Sequence, residues 1–185
     1  IAVVPTQRHG MVDGPWPRPN VHLGVSVEDQ ATADERIPHL LACPAAVRWI
    51  SLEPQLADVR LDLDGISWVV TGGESGPHAR PFDLAWARST IAQCRAAGCA
   101  CFVKQLWARP VERMGTIDRR TSEDALADLG SSAELSRLRT IPAGWTLVHL
   151  PGAPPFLSRP LRLRARKGGD PAEWPEDLRV REYPA

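Results

Sequence analysis

Two tripeptides, Ser26-Val27-Glu28 and Ser51-Leu52-Glu53, repeat one arrangement: a hydroxyl and a carboxylate flanking one apolar residue, at the end of an apolar run. If each run is a strand, alternation puts Ser and Glu on one face and the apolar residue on the other. A third run, Trp68-Val69-Val70-Thr71, ends in Gly72-Gly73-Glu74-Ser75, and a fourth, Cys101-Phe102-Val103, ends in Lys104-Gln105. In parallel α/β folds ligands bind beyond the carboxyl ends of the strands. Glu53, Glu74 and Lys104 are therefore the candidate catalytic groups. A core gains nothing from them, because a buried unpaired carboxylate is costly.

Around these three, Ser26, Glu28, Ser51, Gly72, Gly73, Ser75, His78, Gln105 and Trp107 are the candidate substrate- or cofactor-binding residues. Glycines directly after a strand permit positive φ and close backbone approach, and exposed amides there can cradle a phosphate or carboxylate. The spacing fits neither a dinucleotide fingerprint nor a P-loop. His78 follows the glycine loop and is the histidine best placed for chemistry, whereas His22 and His149 fall in strand patterns and read as core. Lys104 can pair with Glu53 or Glu74, meet an anionic substrate, or serve as a base if desolvated. Trp107 can stack on a ligand; the other tryptophans read as packing. The structural alternative for Glu28 and Glu53 is helix N-capping or ion pairing with Arg36, Arg48 or Arg80, and for the loop that carries Glu74 it is a sharp turn needing flexible residues. The recurrence of the glutamates at strand ends favours the ligand role.

The elements that must position these groups can be read from periodicity. Residues 1–19 form a proline-rich lead-in loop. Strands are predicted at about 21–27, 46–52, 66–71 and 100–105. Asp29 sits as N-cap of a helix over Gln30–Ala42, with Ala33, Ile37, Leu40 and Leu41 inward and Pro38 a candidate kink. Leu56, Val59, Leu61 and Leu63 alternate as a short extended segment. Pro81 and Asp83 open a second helix that Gly98 ends, with Leu84, Trp86, Ala87, Ile91 and Cys94 inward. A β-α-β-β-α-β order with helical crossovers requires parallel strands. The predicted fold is thus α/β: the C-terminal half of a partial TIM-type (β/α) barrel over 20–107. A helical and strand extension follows over 108–150, with short helices at 121–130 and 134–139 and a strand at 145–150. An irregular arm rich in proline covers 151–185. An α/β enzyme opening this close to a site strand reads as a C-terminal portion of a longer protein.

Composition limits the possibilities. Twenty-two basic and 22 acidic side chains give no net charge, so overall charge points to no polyanionic partner. Arg159, Arg162, Arg164, Arg166 and Lys167 form a local basic run that can contact nucleic acid, but acids in 168–185 answer it. No run approaches a membrane span and no signal peptide is visible, so a cytoplasmic protein is expected. Cys43, Cys94, Cys99 and Cys101 lack zinc-ligand spacing, and the cluster Cys94, Cys99 and Cys101 reads as buried thiols; no metal ligand set is assigned.

Several segments in the same order resemble one known family: Asn20 to Gln30, Asp34-Glu35-Arg36-Ile37-Pro38, Ser51-Leu52-Glu53-Pro54, Gly72-Gly73-Glu74-Ser75-Gly76, Ala79-Arg80-Pro81, Lys104-Gln105 and the tail Lys167 to Val180. It is the phage and prophage family named for gene products thirty-seven and sixty-eight, also called three-Cys-motif proteins, whose reaction is unassigned. The resemblance implies a radical S-adenosylmethionine-type enzyme, a partial barrel with a [4Fe–4S] cluster on an N-terminal three-cysteine motif. That motif is absent here, so the implied cluster ligands lie outside this chain and the chain alone is expected to be inactive. The family's Lys-Gln-Trp-Gly is replaced by Lys104-Gln105-Leu106-Trp107. The residues also allow two other readings: a magnesium- or manganese-dependent hydrolase built on the clustered glutamates, and a non-catalytic phage module that contacts nucleic acid.

Overall fold

The computed structural model describes residues 16–76, 78–106, 110–116, 143–148, 156–164 and 168–184. The first strand, β1 (His22–Ser26), leads into helix α1 (Gln30–Ala42). A capping box starts α1: the Thr32 amide donates to the Asp29 carboxylate at 2.9 Å and the Asp29 amide donates to the Thr32 hydroxyl at 3.0 Å. The Thr32 amide and hydroxyl hold the Asp29 carboxyl below its ordinary range. Pro38 lies inside the helix without ending it.

Strand β2 (Val47–Leu52) pairs parallel with β1, and β3 (Trp68–Gly72) pairs parallel with β2. No helix makes the crossover between β2 and β3. Instead the loop buries Val59 and Leu63, and glutamines from the helices satisfy its backbone. Gln30 of α1 accepts from the Arg60 amide and donates to its carbonyl. Gln93 accepts from the Leu61 amide and donates to the Val59 carbonyl. The alternating segment expected here is therefore not a strand. Side chains from two helices replace the neighbouring strand it would need.

The two-residue strand β4 (Phe82–Asp83) precedes α2 (Leu84–Ala97). Asp83 caps α2 through the Ala85 amide, and Gly98, at φ 66°, ends it. Strand β5 (Ala100–Gln105) then pairs parallel with β3, so the first sheet runs β1-β2-β3-β5. The described strands make an open α/β sheet, not a closed barrel.

Strand alternation splits this sheet into two unlike faces. Ile50, Leu52, Val69, Thr71, Cys101 and Val103 point to one side and are buried against Ala33, Ile37 and Leu40 of α1 and Ala87, Ile91 and Cys94 of α2. Gly24, Ser26, Trp49, Ser51, Trp68, Phe102 and Lys104 point to the other, where they are exposed or half-buried and no described helix covers them. His22 lies exposed on this face, not in the core.

A second sheet, ordered β4-β6-β8-β7, adds β6 (Pro110–Thr116), β7 (Thr146–Val148) and β8 (Phe156–Pro160). The β4–β6 pairing is parallel and the others are antiparallel. β7 lies within the predicted strand at 145–150, of which residues 149–150 fall outside the described residues. The predicted helices at 121–130 and 134–139, and His149, lie outside the described residues.

The described parts of the arm expected to be irregular are ordered by long-range contacts. Besides β8, its residues 168–184 place Trp174, 2% exposed, and Leu178 in the main core. The Trp174 indole N–H donates to the Gly168 carbonyl, which also accepts from the Leu106 amide. Residues 180–182 then run antiparallel along β5: the Val103 amide donates to the Val180 carbonyl and the Glu182 amide to the Cys101 carbonyl, each at 2.8 Å. The sheet edge at β5 is thereby closed. Trp174→Ala is expected to cost about 3–5 kcal/mol of stability, read from urea unfolding curves, because it empties a fully packed site. A loss under 1 kcal/mol would mean that the tail does not belong to the core.

Candidate functional site at the carboxyl ends of the parallel strands

Glu53 leaves the end of β2 and reaches past β3 to β5. Its carboxylate accepts from Lys104 Nζ at 2.9 Å through one oxygen and from Gln105 Nε2 through the other. The Glu53 side chain is 14% exposed and the Lys104 side chain 53%, so the pair is rooted inside and opens to solvent through the ammonium.

Glycine at the end of β3 lets the neighbouring segments come close. A Cβ on Gly72 would lie 3.0 Å from the Gln105 carbonyl, and one on Gly73 would lie 3.0 Å from Phe82 and 3.2 Å from the Leu106 carbonyl. The Gly73 amide already donates to the Gln105 carbonyl at 3.2 Å. The close approach expected of these glycines is therefore made to the protein's own β4 and β5. Positive φ in this loop falls at Gly76, at 99°.

A polar set that the sequence reading did not pick out lies beneath the rim. Gln55, 1% exposed, accepts from the Thr71 hydroxyl at 2.7 Å and donates to the Ala57 carbonyl and the Thr90 hydroxyl. The Gln55 amide donates to the Gly72 carbonyl. This network fastens the loop after Glu53 to β3 and α2. A glutamine directly after Ser51-Leu52-Glu53-Pro54 was its only local sign.

The other two glutamates have partners of their own. Glu28 pairs with Arg36 at 3.1 Å, and the same guanidinium nitrogen donates to the Ser26 carbonyl. Glu74 takes a two-pronged contact from Arg80, Nε and Nη2 each at 2.8 Å, plus the Arg80 amide at 2.9 Å. These bonds hold the Glu74 carboxyl far down, from an ordinary 4.5 to about 2. Arg48 donates to the Cys43 carbonyl instead of a carboxylate.

The strand ends thus bring together Glu53, Lys104 and Gln105, with Ser26 and Ser51 on the same face, and they pair Glu28 and Glu74 separately. Ser75 and His78 are exposed beside the Glu74 loop, and Trp107 lies outside the described residues. Among the described residues no group of three or more His, Cys, Asp or Glu side chains is placed to hold a metal ion. Cys94, Cys99 and Cys101 are free and buried. Contact with Cys101, reinforced by burial, pushes the Cys94 thiol up to about 12, and contact with Cys94 raises Cys99 as well.

Below the rim the uncovered face carries an aromatic row. Trp49 and Trp68 have ring centroids 5.6 Å apart, and Trp68 meets Phe102 edge-on at 6.2 Å. The Trp49 indole lies over Gly24, where a Cβ would sit 2.5 Å from its Cε2. Reading these tryptophans as packing missed that they share a face with Ser51 and Lys104. The period-two spacing 49, 51, 53 carried that information.

Elsewhere, ion pairs join the second sheet to α2 and the tail. Arg88 meets Asp177 at 2.6 Å and Glu112 at 3.7 Å, Arg159 meets Glu112 at 2.5 Å, and Arg113 meets the buried Asp83 at 2.7 Å. Burial pushes the Asp83 carboxyl up despite the nearby arginines. Arg159, first of the basic run, is also placed over the Trp145 ring. No described helix is long and apolar enough to cross a membrane.

Fold and site together define an α/β protein with a polar cluster at the carboxyl rim of a parallel sheet. The family model described as protein of unknown function (DUF5131) matches residues 2–134, and the chain belongs to that family. No curated protein and no solved structure matches it.

Two outcomes follow from the site chemistry. The folded-state pKa of Glu74 lies below its unfolded value, so its contact with Arg80 stabilises the fold above about pH 4.5 and is lost as pH falls through about 2. NMR titration of the Glu74 carboxyl should show that low midpoint in the wild type and a return to the ordinary range in Arg80→Ala. An unchanged midpoint would refute the assignment. In native alkylation followed by peptide mapping, half-buried Cys43 should react first, and Cys94, Cys99 and Cys101 only on unfolding.

Proposed function

We propose that this chain forms the C-terminal half of a partial (β/α) barrel belonging to a phage-type enzyme of the radical S-adenosylmethionine class. The observation that carries this reading is the contact of Glu53 with Lys104 and Gln105, at the carboxyl ends of four parallel strands that follow one another in sequence order. Enzymes of this architecture build their sites there. In such a barrel the face left uncovered by α1 and α2 is the interior.

The cysteines of this chain do not fit an iron–sulfur cluster. A cluster needs closely placed, accessible thiolates, whereas Cys94, Cys99 and Cys101 are buried and Cys43 stands apart at the end of α1. No step is therefore assigned to a cluster held by these residues.

The polar end of S-adenosylmethionine does fit the rim. Its α-ammonium matches the Glu53 carboxylate and its carboxylate matches Lys104, so a zwitterion entering between them replaces one ion pair with two. Ser26 and Ser51 add hydroxyls on the same face. When bound, that cofactor supplies the reactive carbon–sulfur bond. The residues here hold and orient it, and Gln105 keeps the Glu53 carboxylate fixed during the exchange.

Equilibrium dialysis against S-adenosylmethionine tests the proposal. Saturable binding is expected, weakened about tenfold or more by Glu53→Gln, which removes the charge and preserves the shape. No binding at millimolar ligand, or binding indifferent to Glu53→Gln, would overturn it.

A further inference from the structure

The tail that closes the edge of β5 also delivers two side chains to the uncovered face. Arg181 stands opposite Phe102 in the antiparallel pairing, so both project to the same side. Its guanidinium lies 5.1 Å from the Phe102 ring centroid and 5.5 Å from that of Trp174, and it donates to the Lys104 carbonyl at 3.3 Å. Tyr183, two residues on, packs against Phe102 at 5.4 Å and Trp68 at 5.9 Å, yet remains 69% exposed. The tail therefore extends the row of Trp49, Trp68 and Phe102 by one more ring and sets a cation beside it.

Among the described residues the charge of that cation is unanswered. Lys104 is neutralised by Glu53, and the Glu182 carboxylate accepts from the Cys101 amide. Arg181 has no carboxylate partner among the described residues. An exposed guanidinium that makes one hydrogen bond among the described residues, held beside tilted and edge-on rings, suits an anionic group attached to a flat ring. Successive same-face positions on a strand are roughly 7 Å apart, a distance that a sugar-length spacer between ring and anion can cover.

We propose that the uncovered face, completed by Arg181 and Tyr183, binds a substrate that joins a planar aromatic ring to an anionic group, the simplest being a mononucleotide. The ring stacks on Tyr183 and Trp68, and the phosphate takes the free guanidinium donors of Arg181. This rests on the barrel-enzyme reading only in treating that face as the ligand-facing one. It places the substrate on the tail side of that face, where Arg181 donates to the Lys104 carbonyl.

Titration of the full chain with adenosine monophosphate, followed by tryptophan fluorescence and calorimetry, tests this, with adenosine and inorganic phosphate as comparison ligands. The nucleotide should bind saturably and more tightly than adenosine. Arg181→Gln, an exposed change that preserves the backbone pairing, should weaken the nucleotide about tenfold or more and leave adenosine unchanged. Tyr183→Leu should weaken both. Equal affinity for nucleotide and adenosine, indifference to Arg181→Gln, or a dimer that occludes the face would each overturn the proposal. If S-adenosylmethionine still binds in a Glu53-dependent way while the nucleotide does not, this inference fails and the barrel-enzyme reading survives.

Discussion

Two helices cover one side of a four-stranded parallel sheet, and the rest of the molecule depends on that imbalance. Strand alternation forces every second side chain to the opposite side. The residues that seal the core through Ile50, Leu52, Val69 and Val103 therefore fix where Trp49, Ser51, Glu53, Phe102 and Lys104 project. Neither set can be exchanged for the other without slipping the register of a whole strand, which would bury charge and expose the core. The rim chemistry is in this sense anchored by apolar packing on the far side of the sheet.

The parts of the fold set by neighbouring residues were legible from the sequence. Helix α1 begins and ends where its capping pair and apolar period require, because Asp29 and Thr32 are three positions apart. The partner of Glu28, Arg36, was equally near at hand and is one of the arginines named as its structural alternative, whereas Arg80, named beside Glu28 and Glu53, pairs with Glu74 instead. Lys104 with Glu53 was one of two pairings its position allowed. What escaped depends on distant chain segments. The loop after Glu53 takes its hydrogen bonds from Gln30 and Gln93, which no local period reveals. Residues 168–184 have no regular spacing because, apart from two three-residue 3-10 turns at Pro171–Glu173 and Glu176–Leu178, they pack around Trp174 and along β5.

The glycine pair shows how a local signal can point to the wrong partner. Gly72-Gly73 announces close approach, and close approach is what the structure contains. The neighbours are Gln105, Leu106 and Phe82, and only the tertiary placement of β4 and of the end of β5 against β3 could have identified them.

The pairing of residues 180–182 with β5 also has a consequence in time. Cys101 and Glu182 are 81 residues apart, so during synthesis at 5–20 residues per second the edge of β5 waits roughly 4–16 s for its partner. Through that interval the nascent chain offers an unpaired strand edge next to its aromatic face, the combination that other nascent chains recognise most readily. The burden on the cell's folding assistance is therefore greatest before the tail emerges, and it ends when Trp174 and Val180 dock.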